Sequence, residues 1–82
     1  MTVVLERNAA KKLERTNEPL KSRIIKGLSG LSEEPPHGNI KKLQGRDDYR
    51  LRVGSYRVLF RIEHDIVIVT NIASRGQAYK KE

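Results

Sequence analysis

The sequence predicts a single α+β domain in which two helices pack on one face of an antiparallel sheet. Three observations lead to this fold class: a short aliphatic segment opens the chain, two amphipathic helical stretches follow, and three strand-like segments come last. We expect an N-terminal strand, a two-helix hairpin and a three-stranded antiparallel meander. The chain has 82 residues, which suits one domain, so residues 1–82 are treated as a single unit.

The first half of the chain carries the strand and helix signals. Residues 3–5 (Val-Val-Leu) predict a short strand, and Asn8 is a suitable N-cap for a helix that runs toward Thr16. Pro19 favours a second helix start, because proline is common in the first turn. Apolar residues then recur at helical spacing and predict the buried stripe of this second helix: Leu20, Ile24, Leu28 and Leu31.

The segment from Tyr49 to Ile62 predicts a tight β-hairpin. Apolar residues and arginines alternate on both sides of Gly54-Ser55, the pattern of two half-buried strands joined by a two-residue loop. Glycine at the first loop position suits a type II′ turn. This turn would place Arg52 directly opposite Arg57, where the two like charges repel each other. Such a pair suggests a surface that binds a strongly anionic ligand. We therefore expect an exposed arginine surface.

The last predicted strand runs from Ile66 to Ala73, after a turn at residues 63–66. Aliphatic residues occupy both of its faces, which favours an interior position in the sheet. The order of the strands is left open by this pattern.

The charge of the chain is strongly positive and unevenly distributed. The formal net charge is +7, and residues 41–82 contain ten Lys or Arg against five Asp or Glu. A clustered basic surface is typical of nucleic-acid binders, although a solvated surface that keeps the protein soluble would look the same.

Several classes of function lack support in the sequence. The chain has no cysteine, and His37 and His64 stand without partners at catalytic or metal-ligand spacing, so we expect no metal site and no cofactor. The first residues do not resemble a signal peptide, and the longest aliphatic run is too short to cross a membrane. The absence of cysteine fits a cytoplasmic location, and we expect no membrane partner.

Arginine is the residue type in this chain that is best suited to a role in a reaction. Its pKa is too high for a general base, but its guanidinium binds phosphate in a bidentate manner and stabilises charge that develops on phosphorus. RNA cleavage suits such a set, because the ribose 2′-hydroxyl is the nucleophile and the enzyme chiefly orients the backbone. Tyr79 either stacks on a base or moves a proton, or else simply packs the chain end onto the sheet.

Three ordered motifs resemble the RelE toxins of the RelE/ParE superfamily: residues 42–45 (Lys-Leu-Gln-Gly), residues 49–60 of the hairpin, and Ile72-Ala73-Ser74-Arg75 with Tyr79 four residues on. The resemblance implies a toxin of a type II toxin–antitoxin pair that cuts messenger RNA in the ribosomal A site. It also implies a RelB-like antitoxin as partner, with the ribosome and messenger RNA as targets.

The resemblance also implies roles for individual residues. Arg57 and Arg75 would hold the scissile phosphate, Arg50 and Arg52 would stabilise charge, and Tyr79 matches the C-terminal tyrosine of the family. Four further basic residues are expected to bind RNA: Lys41, Lys42, Arg46 and Lys80. Many relatives have histidine where this chain has Ser74.

Two other functions remain open at this stage. A ParE-like inhibitor of DNA gyrase would share the fold and act by binding, and an inactive relative would bind RNA without cutting it. Arg57, Arg75 and Tyr79 together favour the RelE alternative, because a gyrase inhibitor does not need these three residues.

Overall fold

The computed structural model describes residues 1–74, which form five strands and two helices. In chain order these are β1 (Thr2–Leu5), α1 (Arg7–Glu14), α2 (Leu20–Leu31), β2 (Ile40–Lys42), β3 (Tyr49–Val53), β4 (Tyr56–Glu63) and β5 (Ile66–Ser74). The α+β class and the order of strand, two helices and meander are confirmed.

The five strands form one mixed sheet in the order β1-β5-β4-β3-β2. β1 lies parallel to β5, and the other neighbours are antiparallel. β5 is therefore an interior strand, as its two apolar faces predicted. The two helices connect β1 to the rest of the sheet and cover one face of it, so the opposite face carries no helix from residues 1–74.

Strand β2 was missing from the sequence prediction. Its three residues pair with β3 in the register Ile40↔Leu51, Lys41↔Arg50 and Lys42↔Tyr49. Such a short segment with two lysines shows no alternation of its own, so its strand conformation depends on the neighbour with which it pairs. The consequence is that β3 has a partner on each side instead of forming an edge.

The two helices begin differently. α1 starts at Arg7, so the expected cap residue, Asn8, lies inside the first turn of the helix. The Asn8 Nδ2 donates instead to Asn71 Oδ1 of β5 at 3.2 Å. The cap prediction for Asn8 was wrong. α2 starts just after Pro19, and the Glu18 carboxylate accepts hydrogen bonds from the Ser22 hydroxyl at 2.6 Å and the Ser22 backbone N–H at 3.1 Å. These bonds, the hydroxyl first, hold the pKa of Glu18 below its usual value.

The core lies between the two helices and the sheet. The predicted stripe is confirmed, since Ile24, Leu28 and Leu31 are buried and Leu20 is half-buried. Phe60 is fully buried, and its ring stacks on Tyr49 of the neighbouring strand at a centroid distance of 5.5 Å. Each large side chain buried in this way stabilises the fold by roughly 1.5–3 kcal/mol relative to exposure. The side chains on the helix-facing side of β3 and β4 therefore pack in the core.

Gly30 allows α2 to lie close to the loop that leads to β2. A Cβ atom at this position would lie 2.8 Å from the backbone oxygen of His37, a separation that real Cβ atoms do not adopt. The His37 N–H donates to the Gly30 carbonyl at 2.9 Å, which holds the two backbones together. Glycine is therefore required here by contact with the loop.

We expect Gly30→Ala to lower the free energy of unfolding by about 1–3 kcal/mol, because the added methyl group displaces the loop backbone. Alanine is the better helix former by about 1 kcal/mol, so propensity alone predicts the opposite sign. Urea unfolding measures the difference. Ser29→Ala on the exposed side of the same helix is the control and should be neutral or slightly stabilising. An unchanged or raised midpoint for Gly30→Ala would show that the loop moves freely.

Candidate functional site

The β3–β4 hairpin has the predicted register. Val53 lies opposite Tyr56, Arg52 opposite Arg57, and Leu51 opposite Val58. Gly54 has a φ of +59°, while its loop neighbour Ser55 does not have positive φ, as a type II′ turn requires. The turn and the alternation together send the apolar side chains toward the helices and the arginines toward the opposite side of the sheet.

Four basic residues share this opposite side: Lys41, Arg50, Arg52 and Arg57, here called the cationic face. They come from three adjacent strands, because Lys41 of β2 pairs with Arg50 of β3 and Arg52 pairs with Arg57 of β4. The Asn39 carbonyl accepts hydrogen bonds from the Arg50 guanidinium at 3.1 Å and from the Arg52 backbone N–H at 3.0 Å. The loop before β2 therefore fixes the position of β3 and orients one of its arginines.

Arg57 departs from the expected exposed surface, since only 7% of it is accessible to solvent. It occupies the middle of the sheet, with Arg52 on one side and Ala73 of β5 on the other. The small alanine side chain leaves room for the aliphatic stem of the arginine, which can cover apolar surface while its charged end engages polar groups. The prediction of a uniformly exposed arginine surface was wrong at this position.

A small apolar cluster lies beside these cations. Leu59 and Ala73 are each 4% exposed, and Leu43, from the loop after β2, packs against them. Leu59 faces Arg50 across the hairpin. Apolar neighbours lower the local dielectric, which strengthens the attraction between a guanidinium and an anion. Strand alternation places Leu59 on the same side as the arginines, but its contact with Leu43 and Ala73 depends on segments outside the hairpin.

Two other basic residues that were predicted to bind RNA lie apart from the cationic face or are paired with a carboxylate. Lys42 pairs with Tyr49 and therefore projects on the helix side of the sheet. The Arg46 guanidinium donates to Asp48 Oδ2 at 2.7 Å within its own loop. RNA binding by these residues stays a prediction, and Arg46 would have to exchange its carboxylate partner for a phosphate.

Arg61 of β4 is held by carboxylates. Its Nε donates to Glu63 at 2.8 Å, and a second nitrogen lies 3.6 Å from Glu6, so that the pKa of Arg61 is raised, chiefly by the hydrogen bond to Glu63. Arg61 also lies outside residues 49–60, the part of the hairpin that resembles the RelE toxins. Its charge is compensated within the protein.

The remaining predicted site residues, Arg75, Tyr79 and Lys80, lie outside the described residues. β5 ends at Ser74, opposite Tyr56, one residue beyond the pair that Ala73 forms with Arg57. The described part of the last strand therefore ends next to the cationic face. The catalytic roles of Arg50, Arg52, Arg57, Arg75 and Tyr79 stay predictions.

Histidine and carboxylate side chains do not form a second centre in residues 1–74. His37 and His64 are both exposed, and His37 Nδ1 lies 3.6 Å from Glu33 Oε1. No group of three His, Cys, Asp or Glu side chains converges as a metal site within this range. None of its helices is long and apolar enough to cross a membrane.

The family of the chain follows from its sequence. The profile of the ParE toxin of type II toxin–antitoxin systems (parDE) matches residues 3–79, nearly the whole chain. The protein therefore belongs to this family of type II toxins, and with it to the RelE/ParE superfamily. No curated protein matches the sequence significantly.

Solved structures with the same fold include RelE toxins from both archaea and bacteria. The RelE–RelB complex of Pyrococcus horikoshii matches with a TM-score of 0.78 and 24% identity, over 93% of this chain and 96% of that one. Isolated Escherichia coli RelE matches with a TM-score of 0.77 and 20% identity, over 95% and 89%. A YoeB/ParE toxin from Agrobacterium tumefaciens matches with a TM-score of 0.75 and 16% identity, over 92% and 99%. At these identities the matches establish the fold.

The burial of Arg57 gives a stability prediction. Arg57→Ala is expected to lower the free energy of unfolding by about 1 kcal/mol more than Arg57→Met, because methionine retains the buried aliphatic length. Urea unfolding of both variants measures this difference. Arg52→Ala is the matched control: it removes an exposed arginine and should raise stability by about 0.2–0.5 kcal/mol through loss of like-charge repulsion. Equal losses for the two Arg57 variants would mean that packing of the stem contributes nothing.

Proposed function

We propose that this toxin is a ribosome-dependent endoribonuclease that cuts messenger RNA and thereby blocks translation. The observation that carries the proposal is the gathering of Arg50, Arg52 and Arg57 on the uncovered side of the sheet, with Arg57 beside the small apolar cluster. Cations held against a partly desolvated surface suit an anionic transition state on phosphorus.

The chemistry requires no group beyond the substrate and the side chains. The ribose 2′-hydroxyl passes its proton to Tyr79 or to solvent as its oxygen bonds to the adjacent phosphorus. The bond from phosphorus to the 5′-oxygen breaks, and that oxygen takes up a proton, so that a 2′,3′-cyclic phosphate and a 5′-hydroxyl result. Arg57 and Arg75 bind the non-bridging oxygens, while Arg50 and Arg52 position the backbone and neutralise the added charge. Tyr79 is the candidate for stacking on a base or for proton transfer.

The same surface is proposed to bind an antitoxin. RelE is found with RelB in the Pyrococcus horikoshii and Methanococcus jannaschii complexes, and a RelB-like partner for this toxin would present acidic residues to the cationic face. The toxin would act in the cytoplasm, where its ribosomal target is located.

A second candidate is inhibition of DNA gyrase by binding. The family match favours it, because the profile is that of the ParE toxin. The sequence motifs favour RNA cleavage, since a protein that only binds gyrase does not need Arg57, Arg75 and Tyr79 together.

Mapping the 5′ ends of messages in cells that express the toxin separates these functions. Cleavage predicts codon-phased cuts within translated regions, which Arg52→Ala should reduce roughly 10²-fold, the effect of losing one charge-stabilising group. Arg61→Ala is the matched control on the same hairpin; because Arg61 is paired with Glu6 and Glu63, cutting should persist. Intact messages with accumulating DNA breaks would contradict the proposal and support gyrase inhibition.

A further inference from the structure

A cleft of about 400 Å³ lies between α2 and the β3–β4 hairpin, beyond the edge of the cationic face. Arg23 and Lys26 of α2 form one wall, and Asn39, Arg52 and Gly54 form the other. We call it the α2–hairpin cleft. No sequence motif predicted it, and of the predicted site residues within residues 1–74 only Arg52 lines it.

The helix presents its two cations to this cleft because of their spacing. Arg23 and Lys26 are three residues apart and share a helix face with Gly27 and Gly30, the two glycines that lie against β3 and the following loop. The buried stripe of α2 lies on a different face. The close approach of α2 at its glycines therefore brings the two cations to the hairpin.

Arg23 lies directly against the hairpin turn. Its guanidinium atoms are 3.6–3.7 Å from the point where a Cβ on Gly54 would lie. Glycine is favoured at this turn by the positive φ of the loop, and the arginine from the helix layer lies within van der Waals contact of the turn.

No carboxylate of residues 1–74 lines the cleft. Its lining includes the two helix cations, Arg23 and Lys26, and no described Asp or Glu, whereas the cavity next to Lys12 and Arg15 includes Glu18, and the one beside Lys41 includes Asp47. The cations of the cleft therefore lack an acidic group in its walls that would compensate them, unlike Arg46 and Arg61. A concentration of uncompensated positive charge attracts an anionic ligand.

The cleft and the cationic face meet at Arg52, which lines the cleft while its side chain lies on the other side of the sheet with the cationic face. We propose that the α2–hairpin cleft is a second phosphate-binding site, in which Arg23 and Lys26 hold the backbone of the RNA strand that passes over the cationic face. The inference rests on the proposed function and extends its RNA-binding surface from the sheet to the helix layer.

RNA is a better match for the cleft than an acidic peptide. Peptides gain affinity from apolar side chains that enter pockets. The apolar residues of this cleft are already used: Leu51 is 2% exposed, and Val53 packs toward Gly27. What the cleft offers to a ligand is charge and backbone, which suits a phosphodiester chain.

The test is the salt dependence of binding between the full 82-residue protein and a single-stranded RNA oligonucleotide, followed by fluorescence anisotropy. For single strands the slope of log K against log salt changes by about 0.7 for each phosphate contact. The double variant Arg23→Ala/Lys26→Ala should therefore have a slope shallower by about 1.4 than the unaltered protein, and Lys26→Ala alone by about 0.7. Both residues are exposed, so folding should be retained.

Lys11→Ala/Lys21→Ala is the matched control, because it removes the same charge from the helix layer at a cavity away from the cleft. It should leave the slope unchanged. An unchanged slope for the cleft variant, or equal changes for both double variants, would overturn the inference. So would loss of affinity for an Asp/Glu-rich peptide with no change in RNA binding. Failure of the proposed function can be told apart from failure of this inference. If the unaltered toxin does not cleave RNA, the proposed function fails, while the salt slopes still show whether the cleft binds phosphate.

Discussion

The two-residue turn at Gly54 is the constraint on which the rest of the molecule depends. It fixes the pairing of β3 with β4, and a slip of one residue would exchange the two faces of a strand. In the observed register, Leu51 and Val58 enter the core while Arg52 and Arg57 lie on the other side. Hydrophobic packing therefore stabilises an arrangement that electrostatic repulsion between the arginines opposes. Because the core depends on this register, the cations remain together without a bound anion.

Local patterns predicted those parts of the fold that local forces determine. The apolar stripe of α2, the hairpin register and the interior position of β5 all follow from side-chain periodicity within one segment. Long-range contacts determined the exceptions. The conformation of β2 depends on pairing with β3, and the side chain of Asn8 bonds to Asn71, 63 residues away, instead of capping its own helix.

The candidate site likewise has features that follow from one segment and features that depend on contacts between distant segments. The sequence predicted that Arg50, Arg52 and Arg57 would share a face, because strand alternation requires it. The burial of Arg57 was not predictable from the hairpin, since it depends on Ala73 in a strand brought alongside by the fold. The compensation of Arg61 by Glu6 likewise joins residues from opposite ends of the chain. The α2–hairpin cleft arises from the approach of a helix to a turn, and no single segment encodes it.

The parallel pairing of β1 with β5 has a consequence for the order in which the protein folds. Thr2 pairs with Ile66, so β1 can join the sheet only after the 63 residues between them are available. Pairing over such a separation is slow compared with hairpin formation, because a long loop must close first. The hairpin with its arginines can form early, but Arg57 becomes enclosed only when β5 arrives. The cationic face therefore reaches its final form only after β5 has joined the sheet.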